Sequence, residues 1–367
     1  MNARKTTRDM TLLPTHTERL ARARTDLRLG LPVALRGETG NALVLAAEGI
    51  KPERLSSVRN LGDAVLAITS WRAETLRARA YDGEIARLIL PETADADWIG
   101  AVADPGLDMT TPLKGPFQSA REGDAGLHRL AVRLVKSAHL LPAAVVVPLE
   151  GIAEPALTHL DADATIHLLD QPVPHKDVVS GRVPLHVSEA GRVHVFRPED
   201  GSEEHFVCEI GRPSRDAPVL ARLHSACFTG DVLGSLKCDC GPQLQTALAA
   251  MGKEGAGVLL YLNQEGRGIG LANKMRAYSL QDQGFDTVEA NHRLGFEDDE
   301  RDFRTGADIL KRLGFSSVRL MTNNPAKVQM MEANGVTVTE RVPLHVGLNP
   351  LNAKYLDIKA KKSGHIL

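Results

Sequence analysis

The chain has 367 residues, about twice the length of a common domain, so we expect two domains. Hydrophobic residues make up 43% of the chain and charged residues 25%, which is typical of a folded globular protein and excludes a disordered or fibrous one. The formal net charge of −2 and the aromatic content of 4% argue against a nucleic-acid partner, because such partners need a dense positive surface or aromatic side chains for base stacking.

Membrane and secretory segments are not expected from this sequence. The longest apolar stretch, 140–149, is far shorter than the roughly 20 residues that cross a bilayer, and Pro142 and Pro148 interrupt it. The first ten residues lead into polar residues instead of an apolar segment, which argues against a secretory signal. We therefore expect a cytoplasmic protein without a membrane partner.

In the first half, the pattern of apolar residues predicts helices together with short strands. Helices are expected at 17–25 and 127–138, and strands at 31–36, 43–47 and 143–148. Such a pattern indicates an α+β domain in which helices cover a sheet.

The segment of about 170–192 is the predicted linker. It holds prolines at 172, 174 and 184 and glycines at 181 and 191, and both residue types interrupt regular structure. We therefore place the domain boundary near residue 192, with an N-terminal domain over 1–192 and a C-terminal domain over 193–367.

The second half alternates more regularly between strand and helix patterns. Alternation at this spacing predicts a three-layer α/β/α domain, so the whole chain is expected to be an α/β protein of two domains. The predicted elements are strands at 219–223, 257–262 and 318–322 and helices at 243–251, 271–283, 307–313 and 325–333.

Three of the four cysteines, Cys227, Cys238 and Cys240, lie within fourteen residues of one another. Clustered thiols in a chain of this size indicate a metal site more often than a disulfide framework. Three thiolates could hold zinc and leave a fourth position open, as in catalytic zinc sites. The alternatives are a closed structural site that adds Cys208 or His224, and three reactive thiols without a metal.

A glycine-rich turn follows the predicted strand at 257–262 and precedes a helix. Backbone N–H groups at such a turn bind anions, and Arg267 adds a positive charge, so the segment 264–270 is a candidate phosphate site. A dinucleotide-binding turn fits less well, because Leu271 stands where the third glycine of that motif belongs. A plain strand-to-helix connection is the remaining alternative.

Two further polar segments could contact a nucleotide. The acidic residues at 297–302 could hold Mg²⁺ or form a solvated charged surface. The segment 321–325 joins a strand to a helix, with Lys327 just inside that helix. It could contact a phosphate or a base, although helix capping explains it equally well.

Read together, these segments resemble the GTP cyclohydrolase II family over roughly residues 193–367, and they occur in the order of that family. The motifs are Ala221–Ser225, Cys227 with Cys238 and Cys240, Gln264–Arg267, Arg276–Tyr278, Asp282–Gly284, Asp286–Asn291, Asp299–Phe303 and Leu320–Pro325.

The resemblance implies a zinc enzyme of riboflavin biosynthesis that opens the imidazole ring of GTP and releases formate and pyrophosphate. Cys227, Cys238 and Cys240 would hold one catalytic Zn²⁺ per subunit, and Mg²⁺ would accompany the triphosphate of GTP. The family also implies a homodimer.

The same resemblance implies roles for individual residues. Asp299 would accept a proton, Tyr278 would lie near the reacting ring, and Arg301 would act as a nucleophile on the α-phosphorus. Because a guanidinium stays protonated in proteins, an electrostatic clamp on the triphosphate is the physical alternative for Arg301. The residues that would contact the nucleotide are Arg222, His224, Ser225, Gln243, Glu265, Gly266, Arg267, Thr287, Thr322 and Lys327.

One residue departs from the family pattern inside the cysteine motif. Members usually have Glu before the first zinc cysteine, and this chain has Ala226. A catalytically reduced nucleotide-binding or regulatory paralogue is therefore one alternative, and an interaction module with a closed structural zinc is another.

The first half resembles the start of dihydroxybutanone phosphate synthase at 29–33, 43–48 and 51–53. That enzyme needs an acidic loop and a Gly-His-Thr-Glu motif, whereas the segment 36–41 supplies one carboxylate and Gly123-Asp124-Ala125-Gly126 replaces the motif. We therefore predict an inactive, scaffold-like N-terminal domain.

Overall fold

Two sheets, each covered by helices, organise the chain in the computed structural model, which describes residues 12–151, 153–353, 357 and 361. The segment 1–10, where the sequence argues against a secretory signal, lies outside these residues. Among the helices that can be described, none is long and apolar enough to cross a membrane.

The first half supplies one sheet and the helices on its two faces. Its elements are α1 His16–Arg28, β1 Val33–Gly37, β2 Gly40–Ala46, α2 Pro52–Arg59, β3 Val65–Thr69, α3 Ser70–Leu76, β4 Ile85–Ile89, α4 Ala96–Ala103, α5 Gly126–Ser137, β5 Ala143–Leu149, β6 Thr158–Asp161 and α6 Ala162–Asp170.

The first sheet has the strand order β4-β3-β5-β2-β1-β6. Neighbouring strands are antiparallel, except that β1 and β6 are parallel. Successive side chains of a strand face opposite sides of a sheet, so Leu43 and Leu45 enter one core and Val44 the other. Helices α1 and α5 cover the Val44 side through Leu27 and Leu130. This arrangement confirms the α+β prediction.

The second half supplies the other sheet. Its elements are β7 His175–Arg182, β8 Gly191–Pro198, β9 His205–Ile210, β10 Val219–Ser225, α7 Cys240–Glu254, β11 Gly257–Leu262, α8 Leu271–Asp282, α9 Thr287–Leu294, α10 Arg304–Arg312, β12 Ser317–Met321, α11 Pro325–Ala333 and β13 Thr337–Val342.

The second sheet has the order β13-β12-β10-β11-β9-β8-β7, and its strands β13, β12, β10 and β11 are parallel. Met251 of α7 packs with Leu220 on one face. Leu310 of α10 and Met331 of α11 pack with Leu223 on the other. The three-layer α/β/α prediction is therefore confirmed, and the predicted segments 257–262 and 325–333 coincide with β11 and α11.

The predicted linker at 170–192 differs from the structure. Strand β7 lies inside it and pairs with β8, which itself crosses the predicted boundary at 192. The prediction is wrong here because seven of the eight residues of β7 are exposed, so the strand carries no apolar pattern. Its flanking prolines at 174 and 184 were the stronger local signal.

Helices α8 and α9 of the second half pack on the first sheet. Leu280 and Leu294 are buried in the same core as Ile68 of β3. At the border of this core, the guanidinium of Arg276 donates to Glu48 at 2.8 Å and forms an ion pair with Asp104 at 3.1 Å. The two halves are therefore joined by a shared core and by charged contacts around it.

The buried imidazole of His205 is expected to make folding stability depend on pH. Burial, with a smaller contribution from the charge of His175, lowers the pKa of His205 to about 4. Its Nδ1 accepts a hydrogen bond from the backbone N–H of Asn263 at 3.0 Å, which protonation would break. The unfolded chain, with a histidine pKa near 6.5, binds the proton first. Stability should therefore fall as the pH drops from about 6.5 to about 4, by up to about 3 kcal/mol.

Urea unfolding of the wild type and of a His205→Gln variant, followed from neutral pH to about pH 4.5, measures this contribution. Other buried histidines titrate in both proteins, so the difference between the two curves isolates His205. We expect a smaller loss of stability in the variant, and parallel curves would contradict the assignment.

Candidate active site

The candidate site lies where the parallel strands β10, β11 and β12 end. Ligands bind at the carboxyl ends of the strands in such sheets, because the loops that follow neighbouring strands meet there. Here β10 leads into Cys227, β11 leads into the glycine-rich turn with Arg267, and β12 leads into Thr322. The fold thus brings together three segments that are far apart in the sequence.

The thiols of Cys227, Cys238 and Cys240 form a compact cluster. Their sulfur atoms lie within 4.8 Å of one another, and Cys227 Sγ is 3.8 Å from Cys238 Sγ. A β-carbon at Gly230 would lie only 2.7 Å from Cys238 Sγ, so the close packing of the cluster requires glycine there. The donor set and its spacing fit zinc, which thiolates bind in tetrahedral geometry.

The sequence left open a closed metal site in which Cys208 or His224 is a fourth protein ligand. Cys208 lies in β9, and the Nε2 atom of His224 is bonded to Asp231 at 3.0 Å. Within the part of the chain that the structure describes, the three thiols are the group of possible metal ligands that comes close together. This arrangement supports a site with an open position rather than a closed one.

The carboxylate of Asp231 organises the start of the cysteine segment. It accepts hydrogen bonds from the backbone N–H of Cys227 and from the hydroxyl of Tyr261, each at 3.0 Å, and it also bonds His224. These groups come from β10, β11 and the turn after Cys227. Asp231 therefore fixes the first cysteine relative to two strands.

Lys274 of α8 was not singled out by the sequence, yet it contacts the cluster directly. Its Nζ atom donates to Cys227 Sγ at 3.1 Å and to Glu265 Oε1 at 2.8 Å. Burial alone would lower the pKa of Lys274, but the hydrogen bond to Glu265 and the charge of Cys227 outweigh it and raise the pKa above its ordinary value. A permanent positive charge thus lies beside the sulfur atoms.

Glu265 links the glycine-rich turn to the cysteine segment. Besides Lys274, its carboxylate accepts the backbone N–H of Phe228 at 2.6 Å and that of Gly266 at 2.9 Å. In this structure the side chain therefore holds two loops together, in addition to lining the cleft where the sequence predicted a nucleotide contact.

The face of α8 that carries Lys274 also carries Tyr278 and Gln281, at the spacing of successive helical turns. Burial raises the pKa of Tyr278 to about 12, so its hydroxyl remains protonated at neutral pH. The ammonium of Lys237 lies 5.0 Å from the centre of the tyrosine ring. The spacing of one helical turn between Lys274 and Tyr278 is the sequence signal that could have identified Lys274, because Tyr278 was already a candidate.

A buried arginine, Arg222, also lines the cleft. Arg222 donates to Gln243 Oε1 at 2.6 Å and to the backbone carbonyl of Met321 at 2.9 Å. Gln243 in turn donates to Asp239 at 2.6 Å. Burial lowers the pKa of Arg222 to about 10, which still leaves its guanidinium charged at neutral pH.

Arg301 and Asp299 form a bidentate ion pair. Arg301 Nε lies 2.7 Å from Asp299 Oδ1 and Nη2 lies 2.5 Å from Oδ2, while Nη1 donates to Ser225 Oγ at 3.2 Å. Burial would raise the pKa of Asp299, but its contacts with Arg301 outweigh this and lower it. Arg301 lines the cleft, whereas Asp299 does not.

Arg267 has a backbone conformation that is rare for a residue with a side chain. Its φ of 62° lies in the left-handed region, next to Gly266 with a φ of 64°. The side chain donates from Nη1 to the backbone carbonyl of Asp298 at 3.0 Å. Strain of this kind persists where the surrounding structure holds it, and here it directs Arg267 toward the cleft.

The acidic run at 297–302 is neither a metal site nor a freely solvated surface. Each of its five carboxylates has its own partner, two of them in the first half of the chain, and in the described residues these carboxylates do not gather into a group that could hold a metal ion. The pairs are Glu297 with Trp71, Asp298 with His292, Asp299 with Arg301, Glu300 with Lys136 and Asp302 with Arg304.

The predicted site residues, apart from Asp299, line one cleft. They are Arg222, His224, Ser225, Cys227, Cys238, Cys240, Gln243, Glu265, Gly266, Arg267, Tyr278, Thr287, Arg301, Thr322 and Lys327. Polar residues that the sequence analysis did not assign to the site also line it, namely Lys237, Lys274, Gln281, Asn291, Asn323 and Asn324.

Comparison with known proteins places this geometry in a family. A family model described as GTP cyclohydrolase II matches residues 176–343. GTP cyclohydrolase-2 of Azospirillum brasilense is 42% identical over 362 residues, which cover 94% of this chain and 93% of that protein. GTP cyclohydrolase-2 of Azotobacter vinelandii is 58% identical over 175 residues, which cover 48% of this chain and 84% of that protein.

A solved structure of a two-domain 3,4-dihydroxy-2-butanone 4-phosphate synthase from A. baumannii aligns with 88% of this chain and 98% of that one. Its sequence identity is 18% and its TM-score is 0.32. The sequence match to the Azospirillum protein spans both halves of the chain, including the cleft with its three thiols, and it shows that the chain belongs to the GTP cyclohydrolase II family.

Proposed function

We propose that this enzyme is a zinc-dependent GTP cyclohydrolase II that catalyses the first step of riboflavin biosynthesis. It would open the imidazole ring of GTP, release formate and pyrophosphate, and form 2,5-diamino-6-ribosylamino-4(3H)-pyrimidinone 5′-phosphate. The observation that carries the proposal is the presence, in one cleft, of a three-thiol cluster and of cationic side chains that include Arg222, Arg267, Arg301 and Lys327.

Cys227, Cys238 and Cys240 would hold the zinc ion. When bound, zinc supplies Lewis-acid chemistry that makes water a nucleophile near neutral pH. The chain's own groups prepare this end of the cleft: Asp231 fixes the backbone of Cys227, and Lys274 offsets negative charge on its sulfur. The protonated hydroxyl of Tyr278, on the same helix face as Lys274, can donate a hydrogen bond to the guanine ring of GTP.

The cationic side chains of the cleft would bind the triphosphate. Arg301 is ion-paired through Nε and Nη2 and directs Nη1 to Ser225. A charged, ion-paired guanidinium fits the role of an electrostatic clamp on the triphosphate better than the role of a nucleophile. Since the acidic run is already paired, Mg²⁺ would arrive with the triphosphate instead of occupying a preformed carboxylate site.

Asp299 is the proposed proton acceptor, and its ion pair sets a condition on that role. Its lowered pKa keeps it ionised at neutral pH, as an acceptor must be. Both carboxylate oxygens contact Arg301, however, and Asp299 does not line the cleft, so we propose that Arg301 turns from Asp299 toward the phosphates when the nucleotide binds. Nucleotide binding would then release the carboxylate of Asp299 from Arg301, so that it can accept a proton.

The direct test is a paired assay of formate and pyrophosphate release from GTP by zinc-loaded protein with Mg²⁺. Equal amounts of the two products would support the proposal. Pyrophosphate without formate would show that ring opening has failed, and release of neither product would instead favour a nucleotide-binding or regulatory paralogue. An Arg301→Ala variant that still traps a covalent nucleotide adduct would exclude a covalent role for the guanidinium.

We place the domain boundary between α6 and β7 and propose that the N-terminal domain lacks synthase activity. Its turn between β1 and β2 offers one carboxylate, Glu38, and Thr39 in that turn donates to Asp124 at 3.1 Å. Formation of dihydroxybutanone phosphate from ribulose 5-phosphate by the purified protein would overturn this proposal.

We also propose a homodimer. The segment between the first two cysteines presents Val232, Leu233 and Leu236 with more than half of each side chain's surface exposed, at 67%, 65% and 59%. Exposed apolar groups that lie together often mark a protein interface. Native mass spectrometry of the full chain tests this state, and a monomer at micromolar concentration would contradict it.

A further inference from the structure

We infer that the N-terminal domain supports the active site from outside: Trp71 and Lys136 are positioning residues that hold the loop 295–303 so that Arg301 points into the cleft. The inference rests on the proposed function of that cleft. It gives the N-terminal domain a role that does not require synthase chemistry.

Trp71, on α3, contacts this region in two ways. Its ring stacks on the imidazole of His292, with the ring centres 3.8 Å apart and the planes 5° from parallel. Its indole Nε1 donates to Glu297 Oε1 at 3.1 Å. His292 lies in α9 and pairs with Asp298 at 2.9 Å, so one side chain of the N-terminal domain fixes both the helix before the loop and the loop itself.

Lys136, in the last turn of α5, makes the second contact. Its ammonium lies 2.6 Å from Glu300 Oε1, which also accepts the backbone N–H of Glu297 at 2.8 Å. The same ammonium lies 5.8 Å from the centre of the Phe296 ring, and Phe296 is buried in the core shared by both domains. The N-terminal domain therefore holds the loop near its start and in its middle.

The inner side of the loop faces the cleft. The backbone N–H of Glu300 donates to the carbonyl of Arg267 at 2.9 Å, and Arg267 Nη1 donates to the carbonyl of Asp298. Arg301 follows directly and reaches Ser225. Trp71 and Lys136 do not line the cleft themselves, so they would act through the position of Arg301.

Charge explains why such support is needed. Four consecutive carboxylates, at 297–300, precede Arg301 and would repel one another if they were left unpaired. Two of them are paired with groups of the N-terminal domain, because Glu297 accepts from Trp71 and Glu300 pairs with Lys136. Removal of Lys136 leaves the charge of Glu300 without its counter-charge, and removal of Trp71 leaves Glu297 without a hydrogen-bond donor, so either change weakens the fixed geometry of the loop.

The first test compares Trp71→Ala and Lys136→Met with a matched control, Trp98→Ala. Trp98 is the other tryptophan of the chain; it lies in α4 and donates to the carbonyl of Lys114, away from the loop. We expect Trp71→Ala and Lys136→Met to lower kcat/KM for GTP about tenfold with zinc content unchanged, since small displacements of a positioned group are costly. We expect Trp98→Ala to lower it less than about twofold.

A double-mutant cycle with Arg301→Lys separates positioning from general destabilisation. If Trp71 acts through Arg301, Trp71→Ala should lower kcat/KM less than about twofold in the Arg301→Lys background. Independent, multiplicative effects would overturn the inference, as would equal losses in Trp71→Ala and Trp98→Ala.

Hydrogen exchange gives a readout that does not depend on turnover. Trp71→Ala and Lys136→Met should accelerate amide exchange in peptides covering 295–303, while peptides covering 227–240 keep their wild-type rates. Unchanged exchange at 295–303 in both variants would overturn the inference even in an active enzyme. Failure of the wild type to convert GTP would overturn the proposed function instead and leave the exchange result to decide whether the domain supports the loop.

Discussion

A Cys238→Ser variant is expected to lose its zinc and to release formate from GTP more than about a thousandfold more slowly than the wild type. Cys238 Sγ lies 3.8 Å from Cys227 Sγ, within a cluster that supplies three sulfur atoms, and a hydroxyl is a much weaker zinc ligand than a thiolate. Metal analysis of the purified protein should fall from about one zinc per chain to a small fraction of that value, in parallel with formate release.

The matched control is Cys208→Ser. Cys208 lies in β9 as a half-buried free thiol outside the cluster, and burial raises its pKa to about 11, so it stays an uncharged thiol at neutral pH. This variant should retain its zinc and its formate release. Loss of zinc in Cys208→Ser, or full zinc in Cys238→Ser, would contradict the proposed ligand set.

A Lys274→Met variant is expected to lower kcat/KM for GTP by about 100-fold and to change zinc affinity by a factor in the range of about 10 to 100. Methionine keeps much of the aliphatic volume but removes the ammonium that contacts Cys227 Sγ and Glu265 Oε1. The buried sulfur and carboxylate would then lose their shared counter-charge, and Glu265 would hold the backbone of Phe228 and Gly266 less firmly.

Competition with a chromogenic chelator measures the zinc affinity of Lys274→Met separately from its turnover. Lys274→Arg, which retains the charge, should recover part of the loss. Lys253→Met serves as the surface control, because Lys253 is exposed near the end of α7. If Lys274→Met had both wild-type zinc affinity and wild-type kinetics, Lys274 would have no role at the thiol cluster.

Local sequence patterns were sufficient for half of the named helices and strands and for the chemical character of the site. The apolar run of β11 and the proline that begins α11 are signals contained in a few neighbouring residues, and both elements were predicted with the observed bounds. The three cysteines and the motifs that end β10, β11 and β12 were recognisable for the same reason. Their meeting at one edge follows from the topology of parallel strands.

Contacts between distant segments were beyond such reasoning. Strand β7 belongs to the second sheet because it pairs with β8, and its exposed side chains carry no apolar periodicity. Two partners of the acidic run likewise come from far along the chain: Trp71 is separated from Glu297 by 226 positions, and Lys136 of the first half pairs with Glu300. A charged run that appears solvated or metal-binding in sequence can therefore be paired in the fold.

The sequence by itself determined the two α/β halves, the thiol cluster and the family resemblance, because these depend on residue type and short-range periodicity. Only the tertiary structure decided that Lys274 contacts Cys227, that Asp299 pairs with Arg301, and that Trp71 and Lys136 of the first half contact the loop beside the cleft. The reason is physical: charge pairing depends on distances of a few ångströms between side chains, and those distances are set by the packing of whole elements.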